Sequence, residues 1–164
     1  MTAPLLVFGW GNASRGDDAL GPLLVQQLAA LLGGGAQGRV ELLEDYQLQV
    51  EHVLDLVGRK RILFVDASVD AAPPFEVSGV QAAATAAAAT HALSPRELLQ
   101  VYRQVHGHDA PPCTLLAVRG ETFGLGEPLS AAAQGHLAAA LRWARDWVEA
   151  GSLLHCAPAP RRHT

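Results

Sequence analysis

Residues 4–24, PLLVFGWGNASRGDDALGPLL, decide the fold of this chain. The apolar run Pro4–Phe8 is short and ends at a glycine, which is typical of a buried strand. Leucines then recur at helical spacing over Leu20–Leu32, until three glycines end the pattern. Pro22 is compatible with this helix only in the first turn, because proline lacks the N–H that an interior position needs. A buried strand followed by such a helix is typical of an α/β fold.

Strands and helices alternate along the rest of the chain. Four more strands are predicted at Arg39–Glu44, Arg61–Asp66, Phe75–Val80 and Cys113–Arg119. Three more helices are predicted, with buried faces formed by Val50, Val53, Leu54 and Val57, by Leu98, Val101, Tyr102 and Val105, and by Leu137, Leu141, Ala144 and Val148. This alternation predicts an α/β fold with a mainly parallel sheet, to which Phe75–Val80 contributes a half-exposed strand.

Capping residues mark the ends of two of these helices. Residues 94–97, SPRE, form a capping box with proline at the first helical position. Ser130 is predicted to cap the last helix, and Gly151 is predicted to end it. Residues 1–151 therefore form one predicted domain, and residues 152–164 a flexible C-terminal tail.

Composition and charge exclude several classes of protein. The 164 residues are 49% hydrophobic and 17% charged, which excludes a disordered chain, and the net charge of −4 offers no basic surface for nucleic acid. We expect no membrane-spanning segment and no signal peptide, since the apolar runs are short and no basic region opens the chain. Two cysteines cannot form a disulfide framework, and Cys113, in an apolar strand, is expected to be a packed thiol. A cytoplasmic protein is expected.

The loop after the first predicted strand looks like two phosphate-binding motifs but lacks their key residues. A dinucleotide fingerprint needs glycine where Ser14 stands, and a P-loop needs lysine and serine where Asp17 and Asp18 stand. In a partly dry site, the repulsion between two carboxylates and a pyrophosphate at contact distance costs on the order of a few kcal/mol. The acidic pair suits a cation better. One aspartate of the pair is expected to cap the following helix, which leaves the other for binding.

Two further residues are candidates for the same site. Asp66 directly follows the apolar run Ile62–Val65 and ends the third predicted strand, where an unpaired charge is costly. If the strand order begins 2-1-3, Asp18 and Asp66 emerge from adjacent strand ends, within reach of one ion. His91 precedes the capping box by three residues, where the helix dipole favours the neutral, metal-binding imidazole. A rival metal cluster, His106–Asp109, is more typical of a solvated turn.

Four segments of the chain resemble motifs of one known family. Residues 7–12, VFGWGN, and 16–22, GDDALGP, resemble the opening motif of the [NiFe]-hydrogenase maturation endopeptidases. Phe64–Ala67 and Thr90–Leu93 resemble two later motifs, in the same order and at similar spacing over nearly the whole chain. The resemblance implies a three-layer α/β/α sandwich around a five-stranded mixed sheet, in which Phe75–Val80 is the natural antiparallel edge.

The resemblance also implies an activity and a site. It implies a peptide-bond hydrolase that removes the C-terminal extension of a hydrogenase large-subunit precursor after nickel insertion, with Asp18, Asp66 and His91 as the metal-binding triad. Two oxygens and one nitrogen suit nickel or zinc better than calcium, and they leave positions open for ligands of the precursor. Nickel is thus expected to arrive with the precursor, without an organic cofactor. No serine or cysteine nucleophile is recognisable in the sequence.

One segment departs from the family pattern. Many members have an Asp-Gly-Gly turn after the second strand, where this chain has Glu44–Gln49, EDYQLQ. The change bears on substrate specificity more than on chemistry: either Gln47 or Gln49 faces the cleft, or the segment is an ordinary exposed turn. The alternative function is a non-catalytic α/β module that handles nickel or binds a nucleotide.

Overall fold

The computed structural model describes residues 2–84 and 93–156. The strands are Leu5–Trp10 (β1), Val40–Asp45 (β2), Arg61–Ser68 (β3), Phe75–Val80 (β4) and Cys113–Arg119 (β5). The α-helices are Leu20–Leu32 (α1), Val53–Leu56 (α2), Pro95–His106 (α3) and Ala131–Cys156 (α4). Within the described residues, the five strands form one mixed sheet in the order β2-β1-β3-β5-β4. The predicted α/β fold is confirmed, and the strand order begins 2-1-3, the condition under which Asp18 and Asp66 are expected at adjacent strand ends.

Successive residues of each strand face opposite helical layers, because side chains alternate along a strand. In β1, Leu5 and Val7 pack in a core with α1 and α4, whereas Leu6 and Phe8 pack in a second core with α2 and α3.

The α1 region, Gly16–Ala36, is long and apolar enough to cross a membrane by length and composition. Its inward leucines are nevertheless fully buried against the sheet and α4, as in a core helix.

The sheet direction brings several loops to one edge. The pairs β1–β2, β1–β3 and β3–β5 are parallel, whereas β4 runs antiparallel to β5, as predicted for Phe75–Val80. The loops that follow β1, β2, β3 and β5 therefore meet at one edge, which we call the carboxyl edge. Ligand sites of open α/β sheets lie at this edge.

The buried face of the segment after β2 differs from the prediction. Val53 and Leu56 are buried, whereas Val50, Leu54 and Val57 are exposed. The segment begins with a 3-10 turn at residues 50–52 and continues as the single turn of α2. A 3-10 turn has three residues per turn instead of 3.6, which rotates the apolar stripe away from the position that a regular helix predicts.

The face of α3 is partly as predicted. Its capping box is confirmed, since the Ser94 hydroxyl accepts a hydrogen bond from Glu97 N at 3.2 Å and Glu97 Oε1 accepts one from Ser94 N at 3.3 Å. Leu98 and Tyr102 are buried, but Val105 is exposed. The ring of His106 packs against Tyr102, with centroids 4.4 Å apart, and takes the inward position in the last turn.

The last helix continues beyond its predicted end. Ser130 caps α4 as predicted, since its hydroxyl accepts a hydrogen bond from Ala133 N at 3.1 Å. Gly151 does not end the helix, which extends to Cys156. A Cβ at Gly151 would lie 2.9 Å from the methyl groups of Leu5, so this glycine permits close packing of α4 on β1. Residues 157–164 of the predicted tail lie outside the described residues.

Candidate active site

Two glycines bring the start of α1 against the end of β1. A Cβ at Gly9 would collide with the carbonyl oxygen of Gly21, and a Cβ at Gly21 would lie 2.9 Å from the carbonyl oxygen of Val65. No side chain fits between these backbones, so helix and sheet touch directly. The contact places the 3-10 turn Gly16–Ala19, which carries both acids of the first loop, against β3 at the carboxyl edge.

Asp18 is held by the backbone of its own loop. Its Oδ2 accepts a hydrogen bond of 2.7 Å from the backbone N–H of Asn12. Gly11 adopts a φ of +153°, and a Cβ there would collide with the Asp18 carbonyl oxygen. Asp18 is only partly buried. One carboxylate oxygen is therefore used by the loop, and the side chain retains access to solvent.

Asp66 lies inside β3, two residues before its end, because this strand continues to Ser68 instead of ending at the aspartate. Asp66 lies two residues after Phe64 on the same strand, so the two side chains lie on the same face of the sheet. This face is covered by α2 and α3. Burial raises the pKa of Asp66 to about 7, the nearby charge of Asp18 adds to the rise, and a hydrogen bond from Ala67 N opposes it. The structure thus brings Asp18 and Asp66 together; that they bind a metal stays a prediction.

The third predicted ligand, His91, lies outside the described residues, so its place in the site stays a prediction. Within residues 2–84 and 93–151, no three His, Cys, Asp or Glu side chains form a group that could hold a metal ion. The rival cluster lies near the start of β5, at the opposite edge of the sheet. There Asp109 pairs with Arg103 at 2.8 Å, and His108 Nδ1 lies 3.0 Å from the Asp109 carbonyl oxygen.

Asp17 has a different role from the expected helix cap. It is fully buried, and neither its own 3-10 turn nor α1 has a side-chain cap. Its carboxylate accepts four hydrogen bonds at the start of α4 and in the loop before it: from Glu121 N at 2.7 Å, Thr122 N at 3.1 Å, and Ser130 N and Oγ, each at 2.7 Å. Burial by itself would raise the pKa of Asp17, but these bonds outweigh it and lower that pKa below 3.8. No local sequence signal reveals these partners, since they lie more than 100 residues away.

The segment that departs from the family pattern contacts the first loop through Tyr46 and through the Asp45 carbonyl oxygen, which accepts a hydrogen bond of 3.1 Å from Gly11 N. Tyr46 is 62% exposed, and its hydroxyl oxygen accepts a hydrogen bond of 2.8 Å from Asn12 Nδ2. His52 closes the turn: its Nδ1 accepts from Gln49 N at 2.8 Å, and its Nε2 lies 3.0 Å from Asp45 Oδ2. The segment is therefore exposed apart from the buried Leu48, and it is hydrogen-bonded to the loop that carries Asp18; that Gln47 or Gln49 faces the cleft stays a prediction.

Cys113 is a packed thiol, as predicted. It lies at the start of β5 beside a cavity of about 570 Å³, away from the carboxyl edge. Its thiol donates a hydrogen bond of 3.1 Å to the Pro111 carbonyl oxygen, and burial raises its pKa to about 12. A protonated thiol is a poor nucleophile, so Cys113 does not provide one at neutral pH.

The chain is similar to several solved hydrogenase maturation proteases. No family model and no curated protein sequence matches it. The [NiFe] hydrogenase maturation protease HycI of Thermococcus kodakarensis is 21% identical with a TM-score of 0.68, over 90% of this chain and 93% of that one. The hydrogenase maturating endopeptidase HybD of E. coli is 22% identical with a TM-score of 0.68, over 89% and 92%. The hydrogenase 2 maturation peptidase of Thaumarchaeota archaeon SCGC_AB-539-E09 is 20% identical with a TM-score of 0.60, over 88% and 97%. The chain therefore has the fold of the [NiFe] hydrogenase maturation proteases.

Proposed function

We propose that this chain is a cytoplasmic processing endopeptidase that removes the C-terminal extension of a [NiFe]-hydrogenase large-subunit precursor after nickel insertion. The pair of Asp18 and Asp66 at the carboxyl edge is the observation that carries the proposal. The shared fold, which extends over about 90% of the chain in the solved relatives, is consistent with it.

The chemistry of the acidic pair fits a cation. Asp66 is partly buried next to another carboxylate, and this arrangement disfavours its ionised form. A divalent ion between the two side chains would reverse that preference, because it stabilises both negative charges. One oxygen of Asp18 is already bonded to Asn12 N, which leaves the other for the ion. Asp18 and Asp66, together with His91, would hold the ion.

Nickel in this proposal belongs to the substrate. The precursor carries it, and the precursor's own thiolates supply the rest of the coordination sphere, since thiolates bind a borderline ion tightly. Asp18 and Asp66 then dock onto an ion that is already seated, and Asp66 releases its proton as it does so. Without the ion, both acids would lose water on docking and gain nothing, which is an unfavourable exchange.

The chemistry at the cleaved bond follows from the same docking. The precursor's ion polarises a peptide carbonyl, which promotes attack by water. Peptide hydrolysis also requires a proton to move from that water to the leaving amine. Asp66 is already deprotonated once the ion is bound, and a carboxylate at the reacting bond can accept this proton and pass it to the amine.

The test is a digestion of nickel-loaded and nickel-free precursor by chelator-treated enzyme, followed by mass spectrometry of the products. We expect only the loaded precursor to lose its C-terminal extension. The Asp18→Asn variant should leave the loaded precursor uncut. The control variant Asp70→Asn, the same change at an exposed acid after β3, should process the loaded precursor as the wild type does. Equal cleavage of both precursor forms would show that cleavage does not require nickel in the precursor. Nickel binding that depends on Asp18, without any loss of mass, would identify the non-catalytic nickel-handling alternative.

A further inference from the structure

Asp17 stands next to a candidate ligand, yet it is buried and has no access to substrate. The side chain is 0% exposed, and all four of its hydrogen-bond donors are neutral: three backbone N–H groups and the hydroxyl of Ser130. A buried carboxylate is costly unless its oxygens are satisfied. The presence of a buried carboxylate next to Asp18 therefore needs an explanation other than binding of an ion or a substrate by Asp17.

The partners of Asp17 belong to the segment that follows β5. Backbone bonds join the same two loops, from Asp17 N to the Thr122 carbonyl oxygen at 2.7 Å and from Gly16 N to the Glu127 carbonyl oxygen at 3.1 Å. A Cβ at Gly16 would lie 2.5 Å from the Thr122 carbonyl oxygen, so the loops are in direct contact. The first loop and the segment 120–130 thus form one connected unit.

This unit crosses the end of the strand that carries Asp66. In the sheet, β3 lies between β1 and β5, so a connection from the loop after β1 to the loop after β5 passes over the carboxyl end of β3. Asp18 is the next residue after Asp17 in the same 3-10 turn, which also contacts β3. The position of Asp18 relative to Asp66 therefore depends on how the turn is anchored on its far side.

We propose that Asp17 is a positioning residue, which fixes Asp18 relative to Asp66 by tying the first loop to the start of α4. The inference rests on the proposed function, because it assigns to Asp17 the spacing of the two proposed ligands. It predicts that weakening the Asp17 bonds lowers affinity for the ion while the side chains of Asp18 and Asp66 remain unchanged. Residues that orient metal ligands typically affect metal affinity or activity by about 10–100-fold.

The test variant is Asp17→Asn. Asp17 Oδ2 accepts three of the four bonds and Oδ1 accepts only the one from Ser130 N, so an asparagine oxygen can keep three bonds and its NH2 group loses one. The matched control is Ile62→Val, which removes one methylene from the buried core near the start of β3, far from the carboxyl edge. If Asp17→Asn does not fold, Ser130→Ala, which removes only the hydroxyl bond to Asp17 and the cap to Ala133, takes its place.

Two readouts separate positioning from general stability. Calorimetric titration with Ni²⁺ alone measures ion affinity, and steady-state processing of nickel-loaded precursor measures KM and kcat, both well below the melting temperatures. We expect Asp17→Asn to weaken Ni²⁺ binding about tenfold and to raise KM more than it lowers kcat. Ile62→Val should lower the melting temperature without changing either quantity.

The outcomes also distinguish this inference from the proposed function. If Asp17→Asn lowers only the melting temperature and keeps wild-type Ni²⁺ affinity and KM, while Asp18→Asn is impaired, the positioning role is refuted and the proposed function stands. If Asp18→Asn binds Ni²⁺ and processes precursor as the wild type does, the proposed function is refuted and the positioning role falls with it.

Discussion

Asp66 and Asp18 lie close enough for the charge of one to act on the other: burial in β3 raises the pKa of Asp66, and the Asp18 carboxylate adds to the rise, to about 7. Near neutral pH, much of the Asp66 population therefore still carries its proton. In the free protein, the ionised form of Asp66 therefore destabilises the fold, and in the proposed function a bound cation removes this cost.

The first prediction concerns stability in the absence of metal. The folded pKa of Asp66 lies above its unfolded value of 3.8, so the folded chain loses stability as pH rises from about 4 towards 7, and the loss persists above 7. Asp66→Asn cannot ionise and avoids this loss. We expect it to melt above the wild type at about pH 8, by about 2–4 °C for each kcal/mol recovered, and to melt with it near pH 4. Thermal scans in the presence of chelator, with Asp70→Asn as the control, test this expectation. A lower melting temperature for Asp66→Asn than for the wild type at pH 8 would contradict the raised pKa of Asp66.

The second prediction concerns protons released on ion binding. At about pH 6 the wild-type Asp66 is largely protonated, because this pH lies below its pKa, and the ion must displace that proton. Calorimetry with Ni²⁺ in two buffers of different ionisation enthalpy counts the protons released. Asp66→Asn should release fewer protons than the wild type, whereas Asp70→Asn should release the same number. An unchanged count in Asp66→Asn would remove Asp66 from the ion site.

The third prediction concerns the contact of α1 with β1. A Cβ at Gly21 would collide with the Trp10 carbonyl oxygen and lie 2.9 Å from that of Val65, and backbone atoms cannot move aside as flexible side chains do. Gly21→Ala should therefore destabilise the fold by about 1–3 kcal/mol or more. Gly34→Ala is the control, since no atom lies within 4 Å of a Cβ there. Equal melting temperatures for the two variants would mean that this close approach is not required.

The fourth prediction concerns acid denaturation. The folded pKa of Asp17 is lowered, so its contribution to stability is present above about pH 3.8 and disappears as pH falls through its folded value. The melting temperature of Asp17→Asn should therefore lie below that of the wild type at neutral pH, and the gap should narrow in strong acid. A gap that stays constant down to about pH 2 would contradict a role for the carboxylate charge.

Local patterns predicted much of the fold because hydrophobic periodicity and capping residues are local signals. The leucine spacing of α1 and the apolar run of β5 gave the observed bounds, Leu20–Leu32 and Cys113–Arg119. The prediction that Gly151 ends the last helix is wrong, because a glycine that ends a helix and a glycine that permits close packing look alike in sequence. Only the contact with Leu5 separates the two cases.

The candidate site was less accessible to such reasoning. The closeness of Asp18 and Asp66 followed from strand order, which is a property of the fold class. The partners of Asp17 could not be predicted, since its hydrogen bonds to Glu121 and Ser130 connect residues 104 and 113 positions apart. Long-range bonds of this kind depend on the assembled sheet and leave no periodic trace in the sequence.

The antiparallel strand β4 also bears on how the chain behaves at high concentration. The outer side of an edge strand presents backbone groups that could pair with a second copy and begin aggregation. β4 is only six residues long, its four central residues are exposed, and they include the charged Glu76 and the flexible Gly79. Pro74, immediately before the strand, has no N–H to offer. These features disfavour the addition of another strand. The sheet therefore ends, on the β4 side, in a strand that is poorly suited to fibril growth.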